Sequence, residues 1–250
     1  MNELICGDNI QILKTMDDNC IDLTVTSPPY DNLRDYKGYS FDFENLAKEL
    51  YRVTKEGGVI VWIVGDKTNN GSESGSSFKQ VLFFKQLGFS IHDTMIWRKT
   101  TAPLTHKRYE QEFEYMFILV KGKINTFNPI LIPKIYQDKR KHINVRTEKN
   151  GTKDVGFASQ KTTKIKGNIW DIPTGGGHCT KDKIAYKHPA IFPESLVHDH
   201  IMSWSNEGDI ILDPFVGSGT TCKMAKQLGR NYIGIDISQE YIDIAEERVK

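Results

Sequence analysis

Short apolar, β-branched runs alternate along this chain with stretches whose apolar residues recur every three to four positions, the pattern of strands and helices layered in an α/β sheet. The first run, over residues 4–6, closes in Gly7-Asp8 and leads into an amphipathic helix over 9–16. A second strand, over 21–25, stops at Thr26-Ser27-Pro28-Pro29-Tyr30. A helix near 43–53, a turn at Lys55-Glu56-Gly57-Gly58 and a strong strand over 59–64 follow. The segment 65–77, rich in Gly, Ser and Asn, is expected to be a mobile loop. Beyond it the pattern predicts a helix over 78–87 and a strand over 90–97, with 112–120 as its antiparallel partner in a hairpin-like sheet edge.

After Pro129 the periodicity degrades into a polar, Lys-rich stretch up to about Lys166, which reads as an insertion. Order resumes at His188-Pro189. A helix is predicted over 194–204, a strand over 209–212, a Gly-rich loop over 213–219, a helix over 220–228, a strand over 232–235 and a last helix over 239–250. A chain of 250 residues can bury one substantial core with room for a lobe. The expected organisation is a catalytic half over 1–124, an insert over 125–187 and a cofactor-binding half over 188–250.

Charge changes the picture of the insert. The whole chain has a net charge of only +1, but residues 121–187 hold 15 Lys or Arg against 5 Asp or Glu. Such a segment is either a solvated loop or a surface for a polyanion. The four cysteines, Cys6, Cys20, Cys179 and Cys222, form no CxxC pair, so neither a zinc knuckle nor a disulfide framework is supported, and no metal site is expected. His178-Cys179 lacks further ligands at suitable spacing. No run of eighteen apolar residues occurs and the first residues lack a secretory pattern, so the reading is a cytoplasmic protein without a membrane segment.

Asp209-Ile-Ile-Leu-Asp-Pro-Phe-Val-Gly-Ser-Gly-Thr-Thr221 is a strand running through a Gly-rich bend into a helix, so backbone N–H groups and the positive helix end converge on one point. Gly217 and Gly219 permit close backbone approach. Asp236, 23 positions beyond Asp213, ends the next strand where a ribose diol could be held. The spacing is not GxGxxG and no Lys follows the second Gly, which argues against a dinucleotide fingerprint and a Walker loop. The loop resembles that of the amino-methylating DNA methyltransferases, where it cradles the methionine moiety of S-adenosyl-L-methionine. The resemblance implies that Asp213, Phe215, Gly217, Ser218, Gly219, Thr220 and Thr221 line the cofactor, joined by Thr26, with Asp236 on the ribose hydroxyls. It places Asp8 near the adenine, although a helix N-cap serves equally for that residue. His188-Pro-Ala-Ile-Phe-Pro193 is similar to a family segment whose Phe192 would close over the cofactor; a plain helix entry is the alternative.

Thr26-Ser27-Pro28-Pro29-Tyr30 ends a strand, where open α/β sheets present loops to ligands. An aromatic amine on a base is a poor nucleophile because its lone pair is delocalised into the ring. A side-chain oxygen and a backbone carbonyl accepting its two N–H bonds favour the pyramidal, reactive form. Ser27 supplies the first acceptor and the Pro28 carbonyl the second. Pro28 and Pro29 stiffen that carbonyl, and Tyr30 offers a ring face for a flipped base. The Ser-Pro-Pro-Tyr form resembles the N4-cytosine methyltransferases, whereas Asp more often replaces Ser in N6-adenine relatives. The order of the two motifs is that of the circularly permuted β group. The resemblance implies a Rossmann-like fold with a target-recognition insert, in which Arg140, Lys141 and Arg146 are candidates for phosphate contact. The partners it implies are double-stranded DNA and a restriction endonuclease encoded nearby, for a monomer or homodimer. The absence of a Pro-Cys dipeptide excludes a C5-cytosine enzyme. An N6-adenine enzyme and a catalytically inactive DNA-binding module stay open; protein-glutamine methylation usually goes with Asn in place of Ser27.

Overall fold

The computed structural model describes residues 2–29, 41–99, 107–134, 143–147, 153–157, 162–175 and 177–250. In chain order the elements are β1 (Asn2–Cys6), α1 (Asn9–Lys14), β2 (Ile21–Thr26), α2 (Phe43–Val53), β3 (Thr54–Val64), β4 (Thr68–Asn69), β5 (Ser72–Glu73), α3 (Ser76–Leu87), β6 (Phe89–Arg98) and β7 (Phe113–Lys121). There follow β8 (Leu131–Pro133), β9 (Ile143–Thr147), β10 (Lys153–Phe157), β11 (Thr163–Ile165), β12 (Ile169–Asp171), a 3-10 turn (Lys183–Lys187), α4 (Glu194–Trp204), β13 (Ile210–Asp213), α5 (Thr220–Gln227), β14 (Asn231–Asp236) and α6 (Gln239–Val249). The chain divides into two compact units, Met1–Asn128 with Asn168–Lys250, and Pro129–Gly167.

The larger unit is built on an eight-stranded sheet ordered β1-β14-β13-β2-β3-β7-β6-β12, in which β7 alone runs antiparallel to its neighbours. Its central strands read as near-continuous apolar runs because helices cover both faces. On one face α2 buries Leu46, Ala47, Leu50 and Val53, a helical stripe that packs with α1 and α3 around Trp62, Phe84 and Phe89. On the other face α5 packs between α4 and α6. No described helix is long and apolar enough to cross a membrane.

Several expectations change here. The turn expected at 55–58 lies inside β3: Ile21 faces Thr54 while Leu23 faces Val59, so extra residues bulge out, and Gly57 takes φ 79° to permit it. The segment 65–77 is tied down by the Asp66 carboxylate, which accepts from the hydroxyls of Ser74, Ser76 and Ser77 and from the Ser77 amide, with the β4–β5 hairpin between. Burial opposes that charge, but the serine donors hold the Asp66 carboxyl below its usual range. The β6–β7 hairpin is not the sheet edge, because β12 pairs beyond β6. Of the insert expected over 125–187, residues 125–128 and 168–187 belong to the larger unit, and the separate unit is the shorter 129–167. Within that unit β8 pairs with β11 and β9 with β10, both antiparallel.

Candidate active site

The parallel strands β2, β13 and β14 all end at one edge of the sheet, where the chain reverses its strand order and leaves a crevice. Asp213, the last residue of β13, is fully buried there. Its Oδ1 accepts from Thr26 Oγ1 at 2.7 Å and from the Phe215 amide at 3.1 Å, and its Oδ2 accepts from Thr221 Oγ1 at 2.7 Å. Burial, partly offset by these bonds, pushes the Asp213 carboxyl up to about 6. The aspartate therefore ties the end of β2, which carries Ser27, to the bend that opens α5.

In that bend Gly217 and Gly219 adopt φ 48° and 82°. A Cβ on Gly217 would stand 2.9 Å from His188 Nε2, and one on Gly219 only 2.7 Å from Ala245 Cα of α6, so neither position tolerates a side chain. Asp236, ending β14, folds back on the same loop: its Oδ2 accepts from the Gly217 amide at 3.0 Å and its Oδ1 from the Ser238 amide at 2.9 Å. Burial raises the Asp236 carboxyl above its usual range.

These elements enclose one cleft of about 930 Å³. Ser27, Pro28 and Pro29 line it, as do Asp213, Phe215, Gly217, Ser218, Thr220, Asp236 and Phe192 among the residues expected from sequence. Thr26, Gly219 and Thr221 do not; they are buried behind its wall, where the two threonines bond Asp213. Asp8 is the N-cap of α1, accepting from the Gln11 amide at 2.9 Å, and the cleft is lined by its neighbours Gly7 and Asn9 instead. Tyr30, Arg140 and Lys141 lie outside the described residues. Arg146 sits on β9 with Asp154 as its cross-strand partner. Among the described residues no group of three or more His, Cys, Asp or Glu could hold a metal ion.

Sequence reasoning missed three contributors. Asn9 Nδ2 donates to the Pro214 carbonyl at 3.1 Å and so steadies the bend from α1. Arg248, with a fully buried side chain, donates from Nη1 to the carbonyl and hydroxyl of Ser218 and to Thr220 Oγ1, and from Nη2 and Nε to Glu194 and Asp182. Lys223 reaches the same two carboxylates at 2.7 Å. Burial works against the charge on Asp182, yet Lys223 and Arg248 hold its carboxyl below the usual range. The available signal was position: Arg248 falls three residues after Ala245, on the buried stripe of α6. The third contributor is a group in the cleft wall, Trp97, Lys99 and Glu114, in which Lys99 Nζ donates to Glu114 Oε1 at 2.7 Å. Its polar residues sit at strand ends, where periodicity is silent.

A model of a family described as DNA methylase matches residues 21–247. The chain is 58% identical over 238 residues to the orphan methyltransferase M.BamHII of Bacillus amyloliquefaciens, covering 93% of this chain and 90% of that one. It is 33% identical over 259 residues to the type II methyltransferase M.HpaI of Haemophilus parainfluenzae, covering 98% and 73%. Among solved structures, the cytosine-N4-specific PvuII DNA methyltransferase aligns over all of this chain and 86% of its own, with TM-score 0.73 at 16% identity. The M1.HpyAVI–SAM complex aligns over 100% of both chains, with TM-score 0.65 at 22% identity. Both structural likenesses are likenesses of fold.

Proposed function

The chain belongs to the DNA methylase family of N6 and N4 methyltransferases, and from that premise we propose that it methylates the exocyclic N4 of a cytosine flipped out of duplex DNA, with S-adenosyl-L-methionine as methyl donor. The observation that carries the reading is that Ser27-Pro28-Pro29 and the glycine bend with Asp236 line a single cleft and are joined through Asp213. The residues fit such a donor. The cleft volume is that of a small-molecule site, Phe192 and Phe215 supply apolar walls, and Asp236 provides a carboxylate at the end of β14 for a diol. When bound, the donor supplies an electron-poor methyl group on sulfur.

Every other part of the chemistry falls to this chain. Ser27 Oγ and the Pro28 carbonyl accept the two amine hydrogens and orient the nitrogen lone pair into the cleft. The two prolines keep that carbonyl from drifting, and Tyr30 stacks on the extruded base. Asp236 holds the donor's ribose, and Arg248 from behind keeps the Ser218–Thr220 backbone in register. Ser27 in place of an acidic residue supports cytosine, and the order of the motifs along the chain supports the circularly permuted arrangement.

The unit 129–167 has 10 Lys or Arg against 3 Asp or Glu, a composition that supports its reading as the target-recognition region. A place in a restriction-modification system goes with the type II relatives, while M.BamHII carries the name of an orphan. Expression in a methylation-free bacterial host, followed by single-molecule sequencing, tests the whole proposal. A motif bearing N4-methylcytosine is expected. N6-methyladenine would overturn the base assignment alone, and an unmodified genome would favour a DNA-binding module without catalysis.

A further inference from the structure

Lys99 and Glu114 are not among the residues proposed above to hold the methyl donor or the target amine, yet they are mostly buried in the wall of the cleft that contains Ser27, with side chains 20% and 13% exposed. The sheet ladder fixes where they stand. Thr26 of β2 pairs with Trp62 of β3, and Val64 of β3 with Tyr115 of β7, so Glu114 lies at the level of Pro29, two strands away. At the usual strand spacing that is about 10 Å. Glu114 is also the cross-strand partner of Trp97, so both side chains project from the same face. Trp97 is locked by its Nε1 bond to the Ile172 carbonyl at 2.8 Å, and Lys99 Nζ lies 5.9 Å from its ring centroid. Two rigid anchors thus hold one cationic donor at the end of the cleft where the Ser27–Pro29 segment lies.

A base whose amine is bonded at Ser27 and Pro28 turns the rest of its pairing edge away from that segment. In cytosine and adenine the ring atom beside the amino carbon is an unprotonated nitrogen, an acceptor; in thymine and guanine the matching edge carries an N–H donor. Resting on the methyltransferase reading above, we infer that Lys99 is a specificity-determining residue that donates from Nζ to this ring nitrogen, and that Glu114 positions it. An ammonium facing an acceptor is a charge-assisted bond, and the same ammonium facing an N–H is repelled, so the pair admits cytosine and adenine and rejects thymine and guanine.

The test uses the full-length protein and duplexes carrying its own target site, with the target base either natural or replaced by its deaza analogue, in which a C–H stands for the ring nitrogen. The wild-type enzyme should lose roughly ten- to a hundredfold in kcat/KM on the analogue. Lys99→Met should be slow on both duplexes and show almost no discrimination between them, whereas Lys99→Arg, which keeps a donor, should retain it. Duplex affinities measured by anisotropy with S-adenosylhomocysteine present should follow the same pattern without turnover. A Lys99→Met enzyme that penalises the analogue as strongly as wild type overturns the inference and leaves the methyltransferase reading standing. So does a Lys99→Met protein that no longer binds S-adenosylhomocysteine, since the pair would then be structural. A wild-type enzyme that methylates neither duplex would bring down both.

Discussion

Asp213 gathers three donors in the buried interior, and Ser27 and Asp236 line the same cleft. If Ser27 acts only on the amine, Ser27→Ala should lower kcat by about a hundredfold or more while the affinity for S-adenosyl-L-methionine changes little, measured by single turnover and equilibrium binding. Asp236→Ala should do the reverse, weakening donor affinity by at least about tenfold, because it removes a carboxylate from the cleft and frees the Gly217 amide. Equal effects on both quantities in both variants would break the division of roles. Asp213 also predicts a pH dependence. Its folded value of about 6 lies above the ordinary 3.8, so the stability linked to its protonation is present in full below pH 4 and is lost as the pH rises through 6. The difference is on the order of 3 kcal/mol. Urea denaturation between pH 4 and 7 should show wild type losing stability relative to Asp213→Asn as the pH increases; parallel curves would refute the assignment.

At the scale of elements, α6 reinforces the glycine bend through a cation that no apolar pattern announces. Arg248→Met would leave Asp182 and Glu194 with Lys223 as their one cation among the described residues and strip two bonds from Ser218. A loss of about 3–5 kcal/mol in unfolding free energy is expected, with weakened donor binding beyond what stability explains. A fully stable variant would mean that the cluster is replaceable by packing. The elements themselves were largely visible in the sequence. Runs such as 59–64 and 232–235 read as strands because they are short, apolar and rich in β-branched or aromatic residues, as strands buried on both faces are, and in 21–25 apolar Ile21, Leu23 and Val25 alternate with Asp22 and Thr24. The edge strand β12 was not visible, since Ile169-Trp170-Asp171 is too short to show a period and joins the sheet by pairing with distant β6. The bulge in β3 is indistinguishable from a turn in the sequence for a related reason: Gly57-Gly58 signals a backbone irregularity without saying whether the strand stops or continues.

For the whole molecule, the charge asymmetry should appear as salt dependence. Replacing Arg140, Lys141 and Arg146 together with Ala should weaken DNA binding across sequences and reduce the slope of log K against log salt by up to about 3, with donor binding unchanged. An unchanged slope would remove these side chains from the DNA contact. The separate unit is net positive, with 10 Lys or Arg against 3 Asp or Glu, while the larger unit, with 23 against 29, is net negative and carries the sheet and the cleft.

What the sequence determined alone was local: alternation of strand and helix, the prolines after Ser27, the glycines at 217 and 219 and the acid after β14. Each of these is dictated by backbone sterics or by burial within a short window. Tertiary structure decided what depends on pairing across the chain. It withdrew Thr26, Gly219 and Thr221 behind the cleft wall, and brought Arg248 to the glycine bend. It also seated Lys99 on Glu114 in the wall of the cleft that Ser27 lines. Those positions follow from sheet order and register, which join residues as far apart as 26 and 213, a separation over which no sequence period can speak.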